Sequence, residues 1–596
     1  MAKILGIDLG TTNSVVAVYD GGEPKILSPS PNRRTTPSIV AFCDDGSRLI
    51  GDPARNQQVT NPESTVYSIK RFVGRRQNEV SSEEKLVPYT VVGKPSEYVR
   101  VSIGHKKYTP QEISAMILRE LKEIAEEQLG ETCDRAIITV PAYFNDAQRQ
   151  ATQDAAEIAG FKVERTINEP TAAALAYGVE RRGDRNIVIF DFGGGTFDLS
   201  AMRIGSGTFE VLAVHGNTHL GGDDFDQRII DIVAEDFLRK HCIDVRKDPM
   251  ALQRLKQEAQ KAKAELSDRI ETDIMVPFIC MDASGPKHLE YSLNRARFEA
   301  ICDDLFDELR RACRTLLTEA GLQTAQIADV VMVGGSTRIP KVQQITREVF
   351  QTAELDKSIN PDEAVALGAA ILGGVIQGDL HNVHLMDVTS HGFGVEEAGG
   401  KMLTLMPKNT PIPTTVKKVF STPKNYQSSV PIIVLEGEAE QATDNRPLGV
   451  FRLTGIRRAP RGVPRIEVEF KIDPNGILNV SATDQQTGRS QKITVTGACG
   501  LDEAEMKRMK QENKQKAEQA EQRTITGERR IHAEGVLTDM NSWLQYHKQF
   551  IPPKSVDRLE AVLGKLELKI KKGDTRGIRA AMKKLDELSA PYRQAG

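Results

Sequence analysis

The sequence predicts a multidomain chain that begins with an α/β domain, continues as an antiparallel β-sandwich and ends in α-helices. Strand and helix patterns alternate over residues 1–378, which is typical of an α/β fold. In residues 389–500 apolar and polar residues alternate in short runs, the period of half-buried strands. Residues 501–596 are highly charged, with apolar residues at helical spacing. A connection at 379–388 separates the first two parts.

Composition and charge exclude several classes of protein. The 79 Lys and Arg residues against 82 Asp and Glu residues leave a net charge of −3, which gives no electrostatic case for nucleic-acid binding. Seven scattered cysteines without a Cys-x-x-Cys pair predict reduced thiols. The first strand starts at Ile4, which leaves no room for a signal peptide, and no apolar run has the length of a bilayer span. We expect a cytoplasmic protein that binds neither nucleic acid nor membranes.

Local signals place elements within these parts. Thr109-Pro110-Gln111-Glu112 is a capping box that predicts a helix ending at Gly130, and Asp248-Pro249 starts another helix. Arg465–Ile472 alternates strictly, and residues 473–476 predict a turn into the next strand. A polar helix is expected over residues 501–521. Beyond it, a helical hairpin is predicted from two apolar seams: Leu559, Val562, Leu563, Leu566 and Ile570 against Ile578, Met582, Leu585 and Leu588.

Two similar hairpins carry the strongest chemical signal. Four apolar residues, Ile187–Phe190, predict a buried strand that ends at Asp191 and is followed by three glycines. Residues 4–14 repeat this order, with Asp8 at the end of the strand. Two such hairpins predict two related lobes that face each other across a nucleotide, with both carboxylates directed at a cation such as Mg²⁺. For either copy alone, an ordinary glycine-rich hairpin is the alternative.

Five runs of sequence resemble one known family. They are GIDLGTTNS at 6–14, VPAYFNDAQRQ at 140–150, NEPTAAA at 168–174, DFGGGTFD at 191–198 and VGGSTR at 333–338. In these runs the chain resembles the DnaK-type members of the 70-kDa heat-shock protein chaperones. The resemblance implies an actin-like ATPase domain, a sandwich that binds extended hydrophobic peptides, and a helical lid over that sandwich.

The resemblance also implies a set of residues at the nucleotide site. Catalytic roles fall on Lys70, Glu169, Asp191, Thr196 and Asp198. A solvated lysine is the alternative for Lys70. Asp8 and Asp191 are expected to hold Mg²⁺ largely through water, and K⁺ is left open as a second ion. Contacts to ATP or ADP fall on Asp8, Gly10, Thr11, Thr12, Asn13, Gly193, Gly194, Gly195, Gly221, Gly222, Gln260, Lys263, Ser267, Gly334, Gly335, Ser336, Arg338 and Asp362.

Gln260 departs from the family, which has Glu at the matching position. A neutral amide still accepts a hydrogen bond, though without assistance from charge. We expect ATP binding to persist with lower affinity.

The connection also departs from the family. By resemblance, Val383, Leu385 and Asp387 form a linker that docks on the ATPase domain as an added strand. His384 interrupts its apolar run, so we expect weaker or pH-sensitive docking. Pro141 and Arg149 match residues that relay the nucleotide state, and Arg461 matches one that holds the lid. A metal site at His381, His384 and His391 is disfavoured because the spacing matches no known site.

In the predicted sandwich, Val395, Phe420, Val430 and Ile432 match the peptide pocket, and ordinary core packing is the alternative for each. Ala398 and Pro423 align with the two residues that arch over the peptide, so we expect a shorter arch. Pro431 lacks an N–H group, which predicts an edge or an irregularity in its strand.

These features favour an ATP-dependent chaperone that couples hydrolysis to binding and release of extended hydrophobic segments. By resemblance, its partners are unfolded polypeptides, a J-domain co-chaperone and a GrpE-type nucleotide-exchange factor. We expect a monomer that dimerises at most transiently. The alternative is an ATP-binding regulatory or scaffold relative with one dedicated partner and weakened coupling to peptide.

Overall fold

A computed structural model describes residues 3–28, 33–179, 183–351, 354–356, 358–397, 399–494, 505–512 and 551–571, with shorter stretches between 537 and 548 and between 581 and 589. The chain forms two compact units, Met1–Met506 and Lys507–Gly596. Among the described helices, none combines the length and the apolar character that crossing a bilayer requires.

The first lobe of the larger unit is built on a six-stranded sheet. Its strands follow the order Lys162–Asn168, Arg135–Val140, Ile4–Asp8, Asn13–Asp20 and Glu23–Leu27, and Thr36–Pro37 also pairs with Asn13–Asp20. Helices Pro110–Leu129 and Asp146–Ile158 belong to this lobe. The first of them has the predicted capping box at Thr109 and ends with Gly130 in the left-handed conformation, which confirms that prediction.

The second lobe is built on a seven-stranded sheet. Its order is Glu354–Asp356, Ile327–Val333, Arg185–Phe192, Phe197–Gly205, Thr208–Asn217, His384–Val388 and Pro411–Ile412. The last two strands come from the predicted linker and from the predicted sandwich. Helices Gly222–His241, Pro249–Asp268, Asp303–Ala320 and Pro340–Phe350 belong to this lobe. Asp248 caps the second of these helices, as predicted.

Two helices connect the sheets at the centre of the α/β part. Glu169–Gly178 and Ala364–Gln377 pack against each other, and a Cβ atom at Gly368 would lie 1.7 Å from the carbonyl oxygen of Ala172. This close approach permits only glycine at position 368. The two helices therefore pack closely against each other between the two sheets.

The two predicted hairpins are confirmed and occupy equivalent places in the two sheets. Ile4–Asp8 pairs antiparallel with Asn13–Asp20, and Arg185–Phe192 pairs antiparallel with Phe197–Gly205. In the second hairpin Asp191 lies directly opposite Asp198. Each sheet therefore presents one glycine-containing turn and at least one carboxylate at the cleft between the lobes.

Smaller elements complete the α/β part. One three-stranded sheet has the order Arg48–Ile50, Val40–Phe42 and Thr65–Val66. A second three-stranded sheet has the order Lys106–Tyr108, Arg100–Ile103 and Thr90–Val92. A separate hairpin pairs Glu271–Asp282 with Gly285–Asn294. Short helices and 3₁₀ turns lie at Asp52–Gln57, Pro62–Ser64, Ile69–Arg71, Gln77–Glu79, Glu83–Leu86, Val245–Lys247, Arg295–Ile301, Thr324–Gln326 and Gly335–Arg338.

The all-β part is a sandwich of two four-stranded antiparallel sheets, as predicted. One sheet has the order Met402–Met406, Phe393–Glu396, Ser429–Glu436 and Arg446–Thr454, with a 3₁₀ turn at Ala442–Asp444. The other has the order Thr414–Phe420, Ile466–Ile472, Leu478–Asp484 and Ser490–Thr494. Ile472 pairs with Leu478 across the predicted turn, where Gly476 has φ +80°. Residues such as Val434, Leu453 and Phe470 form the core between the sheets.

Pro431 lies where one edge of its strand has no partner strand among the described residues. The strand pairs with Phe393–Glu396 only from Val434 to Glu436, while its other edge pairs with Arg446–Thr454 over its whole length. The missing N–H of Pro431 therefore costs no ladder hydrogen bond on a shared edge. The predicted edge is confirmed.

The linker forms a strand on the second-lobe sheet. Residues 384–386 pair in parallel with Thr208–Glu210, and the His384 N–H donates to the Gly207 carbonyl at 2.8 Å. Val383 and Leu385 pack against the core beneath this sheet, whereas the His384 side chain is exposed. Because its imidazole faces solvent, His384 joins the strand without burying a polar ring. Its effect on the strength of docking stays a prediction.

In the smaller unit, most of the described residues are helical and pack around one apolar core. Helix Pro553–Lys571 buries Leu559, Leu563 and Leu566, and Leu585 and Leu588 belong to the same cluster, as predicted. Residues 505–512 of the predicted polar helix are helical. Ile578, Met582 and the side chain of Ile570 lie outside the described residues.

Candidate active site

A cleft of about 800 Å³ lies between the two lobes. Most of the residues that the sequence assigned to the nucleotide line it: Asp8, Gly10, Thr11, Thr12, Asn13, Lys70, Glu169, Asp191, Gly193, Gly194, Thr196, Gln260, Lys263, Ser267, Gly334, Gly335, Ser336, Arg338 and Asp362. Residues from both ends of the α/β part thus meet in one cavity.

The two glycine-containing turns approach each other across this cleft. A Cβ atom at Gly194 would lie 2.2 Å from Thr12 Oγ1, and one at Gly195 would lie 2.8 Å from Thr11 Oγ1. Larger residues at these positions would push the lobes apart. The requirement for glycine in this turn is therefore steric, and the bare backbone is left facing the cavity.

Gly221 and Gly222 support the second turn from behind. The Gly222 N–H donates to the Gly193 carbonyl at 3.0 Å, and the Asp223 N–H donates to the Gly194 carbonyl at 2.9 Å. The Gly221 N–H donates to Asp224 Oδ2 at 2.8 Å. The amides of Gly222 and Asp223 hold the turn Gly193–Gly195 in place, and the Gly221 amide is bound by Asp224 of the following helix. A direct contact of Gly221 or Gly222 with nucleotide stays a prediction.

Four carboxylates crowd the base of the cleft. Glu169, Asp191 and Asp198 are buried and Asp8 is partly buried. Burial and the charge of Glu169 raise the pKa of Asp8 to about 7 and that of Asp198 to about 7. The same two causes raise the pKa of Asp191 well above its ordinary value. A site with this much negative charge in a low-dielectric environment is stabilised by a cation.

Lys70 is one such cation. Its Nζ lies 2.5 Å from Glu169 Oε1, and only 7% of the residue is exposed. Burial alone would lower the pKa of Lys70, but the charges of Glu169 and Asp8 outweigh burial and raise it. The interpretation of Lys70 as a solvated lysine is therefore wrong. The residue is a buried, charged ammonium at the base of the cleft.

The donor set fits Mg²⁺ held mainly through water. Asp8 and Asp191 bring carboxylate oxygens from the two hairpins, and hard cations prefer such ligands. Within the described part of the chain, no three acidic, histidine or cysteine side chains are grouped closely enough to enclose a metal by themselves. Mg²⁺ commonly keeps several waters and takes its other ligands from phosphates, so two carboxylates suffice.

The far side of the cleft is formed by one helix and two turns. Gln260, Lys263 and Ser267 lie on one face of helix Pro249–Asp268. Lys263 Nζ donates to Asp226 Oδ2 at 2.8 Å and to the Gly222 carbonyl at 2.7 Å. Ser336 Oγ donates to the Gly193 carbonyl at 2.8 Å, and Arg338 Nη2 pairs with Asp362 Oδ2 at 2.7 Å.

Sequence reasoning missed several lining residues. Val333 begins the run VGGSTR, and Ile339 and Pro340 directly follow Arg338, so proximity to a motif could have indicated these three. Asp223 was expected as part of the phosphate-side turn Gly221-Gly222-Asp223, and it lines the cleft. The others lie outside the five runs and reach the cleft through the fold: Val15, Thr35, Ala264, Asp268, Gln343, Pro361 and Val365.

Comparison with known families decides the assignment. The family model described as Hsp70 protein matches residues 4–595, nearly the whole chain. The chain belongs to the Hsp70 family. Members of the Hsp70 family consist of an ATPase domain, a β-sandwich and a helical lid, and they are ATP-dependent chaperones. They bind ATP and ADP with Mg²⁺, unfolded polypeptides and co-chaperones.

In this Hsp70 chain the linker contacts the segment that carries Glu169. Asp387 is buried, and its Oδ2 accepts hydrogen bonds from Asn168 Nδ2 at 2.9 Å and Thr171 Oγ1 at 3.2 Å. Asn168 and Thr171 flank Glu169, the partner of Lys70. The linker is therefore connected to the Lys70 ammonium by two contacts: Asp387 binds Asn168, and the next residue, Glu169, binds Lys70.

Arg149 lies in a small cavity beside the end of the linker, together with Val388. Arg149 Nε donates to the Phe144 carbonyl at 3.1 Å, and Nη2 donates to the Ala142 carbonyl at 2.9 Å. Buried Pro141 follows the strand Arg135–Val140 directly. A Cβ atom at Gly476 of the sandwich would lie 3.6 Å from Arg149 Cδ. The structure therefore places Arg149 at the boundary between the α/β part and the sandwich. The relay roles of Arg149 and Pro141 stay predictions.

The predicted peptide-pocket residues lie in the sandwich core and its margin. Val395 and Ile432 are buried in the core, and Phe420 and Val430 are half-buried against it. Pro423 is exposed, and Ala398 lies outside the described residues. Arg461 lies in an exposed turn, where its backbone N–H donates to Asn425 Oδ1 at 2.9 Å.

Proposed function

We propose that this Hsp70 chain, of the DnaK type, hydrolyses ATP in the interlobe cleft and uses the docked linker to control how its sandwich holds extended hydrophobic peptides. The contact of Asp387 with Asn168 and Thr171 carries the proposal. Because these two residues flank Glu169, a change at the reacting phosphate has a short path to the linker. In this scheme the docked linker represents the ATP-bound arrangement.

Hydrolysis in this scheme depends on positioning and charge. Thr11, Thr12 and Asn13 hold the phosphates from the first lobe, while Gly194, Gly195 and Thr196 hold them from the second. The Lys70 ammonium stabilises the charge that moves to the leaving oxygens, and Glu169 and Asp198 orient the attacking water. When bound through Asp8 and Asp191, Mg²⁺ neutralises phosphate charge.

The adenosine is held at the other end of the cleft. Gln260, Lys263 and Ser267 face it from one helix, and Gly334–Ser336 with Arg338 and Asp362 face it from the turns opposite. The neutral amide of Gln260 gives a weaker hydrogen bond than a carboxylate. We propose that this chain binds ATP with reduced affinity for that reason.

The sandwich binds the client in this proposal. An extended segment hydrogen-bonds through its backbone, and an apolar side chain enters a pocket formed by Val395, Phe420, Val430 and Ile432. Exposed Pro423 supports a shorter arch over the peptide. A J-domain co-chaperone would stimulate hydrolysis and a GrpE-type factor would release ADP, as the family assignment suggests.

The second candidate is a regulatory or scaffold relative with one dedicated partner. His384 in the linker and Pro431 in the pocket strand favour it, because both alter segments that coupling requires. The two candidates differ in one measurable property. Only a coupled chaperone exchanges generic hydrophobic peptides in response to ATP.

The test measures both directions of coupling. A short hydrophobic peptide should accelerate steady-state ATP turnover, and ATP should accelerate release of a labelled peptide from the complex. Asp387→Ala should abolish both effects while ATP binding persists. Asp379→Ala, an exposed aspartate in the same connection, is the matched control. If the unmodified chain hydrolyses ATP without either effect, the dedicated-partner function replaces the chaperone function.

A further inference from the structure

The segment that carries Lys70 has an unusual backbone conformation. Lys70 lies in the 3₁₀ turn Ile69–Arg71, and Ser68 before it has φ 51° and ψ 27°. This left-handed region is uncommon for residues other than glycine. Such a conformation persists where surrounding contacts hold it. The contacts of the residues beside Lys70 therefore show what holds this ammonium in place.

Three of these contacts cross from the first lobe to the second. Tyr67 Oη donates to Gln253 Oε1 at 3.0 Å, and Ser68 Oγ donates to Asp223 Oδ2 at 2.9 Å. Arg71 Nη2 donates to Asp224 Oδ2 at 2.8 Å. The acceptors lie on the second-lobe helices Pro249–Asp268 and Gly222–His241.

The contacts are buried, so they depend on closure of the cleft. Tyr67, Ser68, Gln253 and Asp223 all belong to the buried residues. Lys256, also on the second lobe, donates to the Leu86 carbonyl at 3.1 Å and stands 4.5 Å from the centre of the Tyr67 ring. Separation of the lobes would break all of these contacts together. The turn with Lys70 would then keep only contacts within its own lobe.

We propose that Gln253 and Asp223 are positioning residues for Lys70, so that the second lobe places the ammonium only when the cleft is closed. The inference rests on the proposed function, because it assumes that Lys70 acts on the transferred phosphate. It adds that, when the lobes close, the hydrogen bonds of Tyr67 and Ser68 to the second lobe fix the position of the Lys70 ammonium. An open cleft would bind nucleotide but hydrolyse it slowly.

The proposal predicts a loss of rate without a loss of affinity. Neither Tyr67 nor Ser68 lines the main cleft; both line a smaller cavity of about 120 Å³ beside it. The proposal therefore assigns their hydroxyls to the second-lobe acceptors and not to nucleotide. Misplacement of a catalytic group by a fraction of an ångström slows the chemical step, while the affinity for ATP is retained. We expect Tyr67→Phe and Ser68→Ala each to slow single-turnover hydrolysis about three- to tenfold.

The experiment measures single-turnover hydrolysis and ATP affinity for both variants, each in the unmodified chain and in a Lys70→Ala background. Thr65→Val is the matched control. It removes a buried hydroxyl that donates to the Asn61 carbonyl at 2.6 Å within the first lobe. Thermal unfolding of all variants reports the cost of losing a buried hydrogen bond.

The outcomes separate the inference from the function beneath it. The inference predicts slow hydrolysis for Tyr67→Phe and Ser68→Ala, unchanged affinity, a normal rate for Thr65→Val, and no further slowing in the Lys70→Ala background. Normal rates for both hydroxyl variants would overturn it, as would the same fold-loss with and without Lys70. A normal rate for Lys70→Ala itself would instead remove Lys70 from the proposed mechanism.

Discussion

At the scale of single residues, the main feature of the cleft is a group of buried charges. Lys70 and Glu169 form a buried ion pair at the base of the cleft, with Asp8, Asp191 and Asp198 beside it. Motifs in the sequence indicated the carboxylates. Asp8 ends its strand, and Asp191 and Asp198 lie opposite each other in the hairpin of the run DFGGGTFD. Glu169 starts a helix directly before Pro170. Lys70 lacks such a motif. Only its packing distinguishes it from a solvated lysine.

Gln260 provides a prediction at this scale. Replacing Gln260 with Glu gives the adenosine side a charged hydrogen-bond acceptor, and hydrogen bonds to charged groups are stronger by about 1 kcal/mol. Gln260→Glu should therefore bind ATP about fivefold more tightly in an equilibrium titration. Gln257→Glu, the same change one turn earlier on the helix and outside the lining of the main cleft, should leave the affinity unchanged. Equal effects of the two variants would show a general effect of charge.

At the scale of elements, the linker strand pairs with the edge strand of the second-lobe sheet. Thr208–Asn217 offers its free edge to residues 384–386. A Cβ atom at Gly207 would lie 2.0 Å from the Asn382 carbonyl oxygen. Gly207 has φ +82°, a conformation that suits glycine. The linker backbone therefore leaves no room for a side chain at position 207, in the turn before this strand.

Gly207→Ala should weaken docking of the linker. The new methyl group collides with the linker backbone, so we expect the docking equilibrium to fall at least about tenfold. Protease cleavage within residues 379–388 in the presence of ATP measures the undocked population. Gly104→Ala is the matched control, because Gly104 also has positive φ but no atom of the described residues lies within 4 Å of its added Cβ. Equal protection of Gly207→Ala and the unmodified chain would contradict a docked linker.

The contact between helix Asp146–Ile158 and the sandwich contains a second element-scale feature. Asp146 Oδ1 accepts from the Leu478 N–H at 3.0 Å, and the carboxylate of Glu436 faces the same small cavity as Asp146 and Arg149. Glu436 is 4% exposed, and no donor among the described residues reaches either of its oxygens. Burial and the charge of Glu436 raise the pKa of Asp146 to about 7, against the opposing effects of the Leu478 amide, Arg149 and Arg446.

Docking of the sandwich should therefore depend on pH. Asp146 has its ordinary pKa near 3.8 when this contact is open, so the docked state binds more protons between pH 4 and pH 7. The stabilisation is complete at low pH and is lost as pH rises through about 7. Docking should weaken up to about tenfold per pH unit between pH 5 and pH 7.

Asp146→Asn tests the origin of this dependence. Asparagine still accepts the Leu478 hydrogen bond but does not titrate, so its docking should vary less with pH when followed by protection of the linker. Asp379→Asn, an exposed change, should retain the dependence of the unmodified chain. A pH profile that is identical in Asp146→Asn and the unmodified chain would assign the dependence to other groups.

At the scale of the whole molecule, the sequence predicted the succession of an α/β part, a β-sandwich and helices because each has its own hydrophobic period. It also predicted which hairpins carry the nucleotide residues. It did not predict the cross-lobe contacts of Tyr67 and Ser68 or the Asp146–Leu478 contact. These join residues up to 332 positions apart through side chains without periodicity or motif. The fold alone brings them together.

The central claim is that ATP holds the linker as a strand on the second lobe and that hydrolysis releases it. Hydrogen exchange of the backbone amides in residues 384–387 tests this most directly, because the His384 N–H is hydrogen-bonded to Gly207 only in the docked arrangement. With Mg²⁺ and ATP, in a Lys70→Ala variant that preserves the triphosphate, these amides should exchange slowly. With ADP they should exchange at rates near those of an unstructured peptide. Equal exchange in the two nucleotide states would contradict the account.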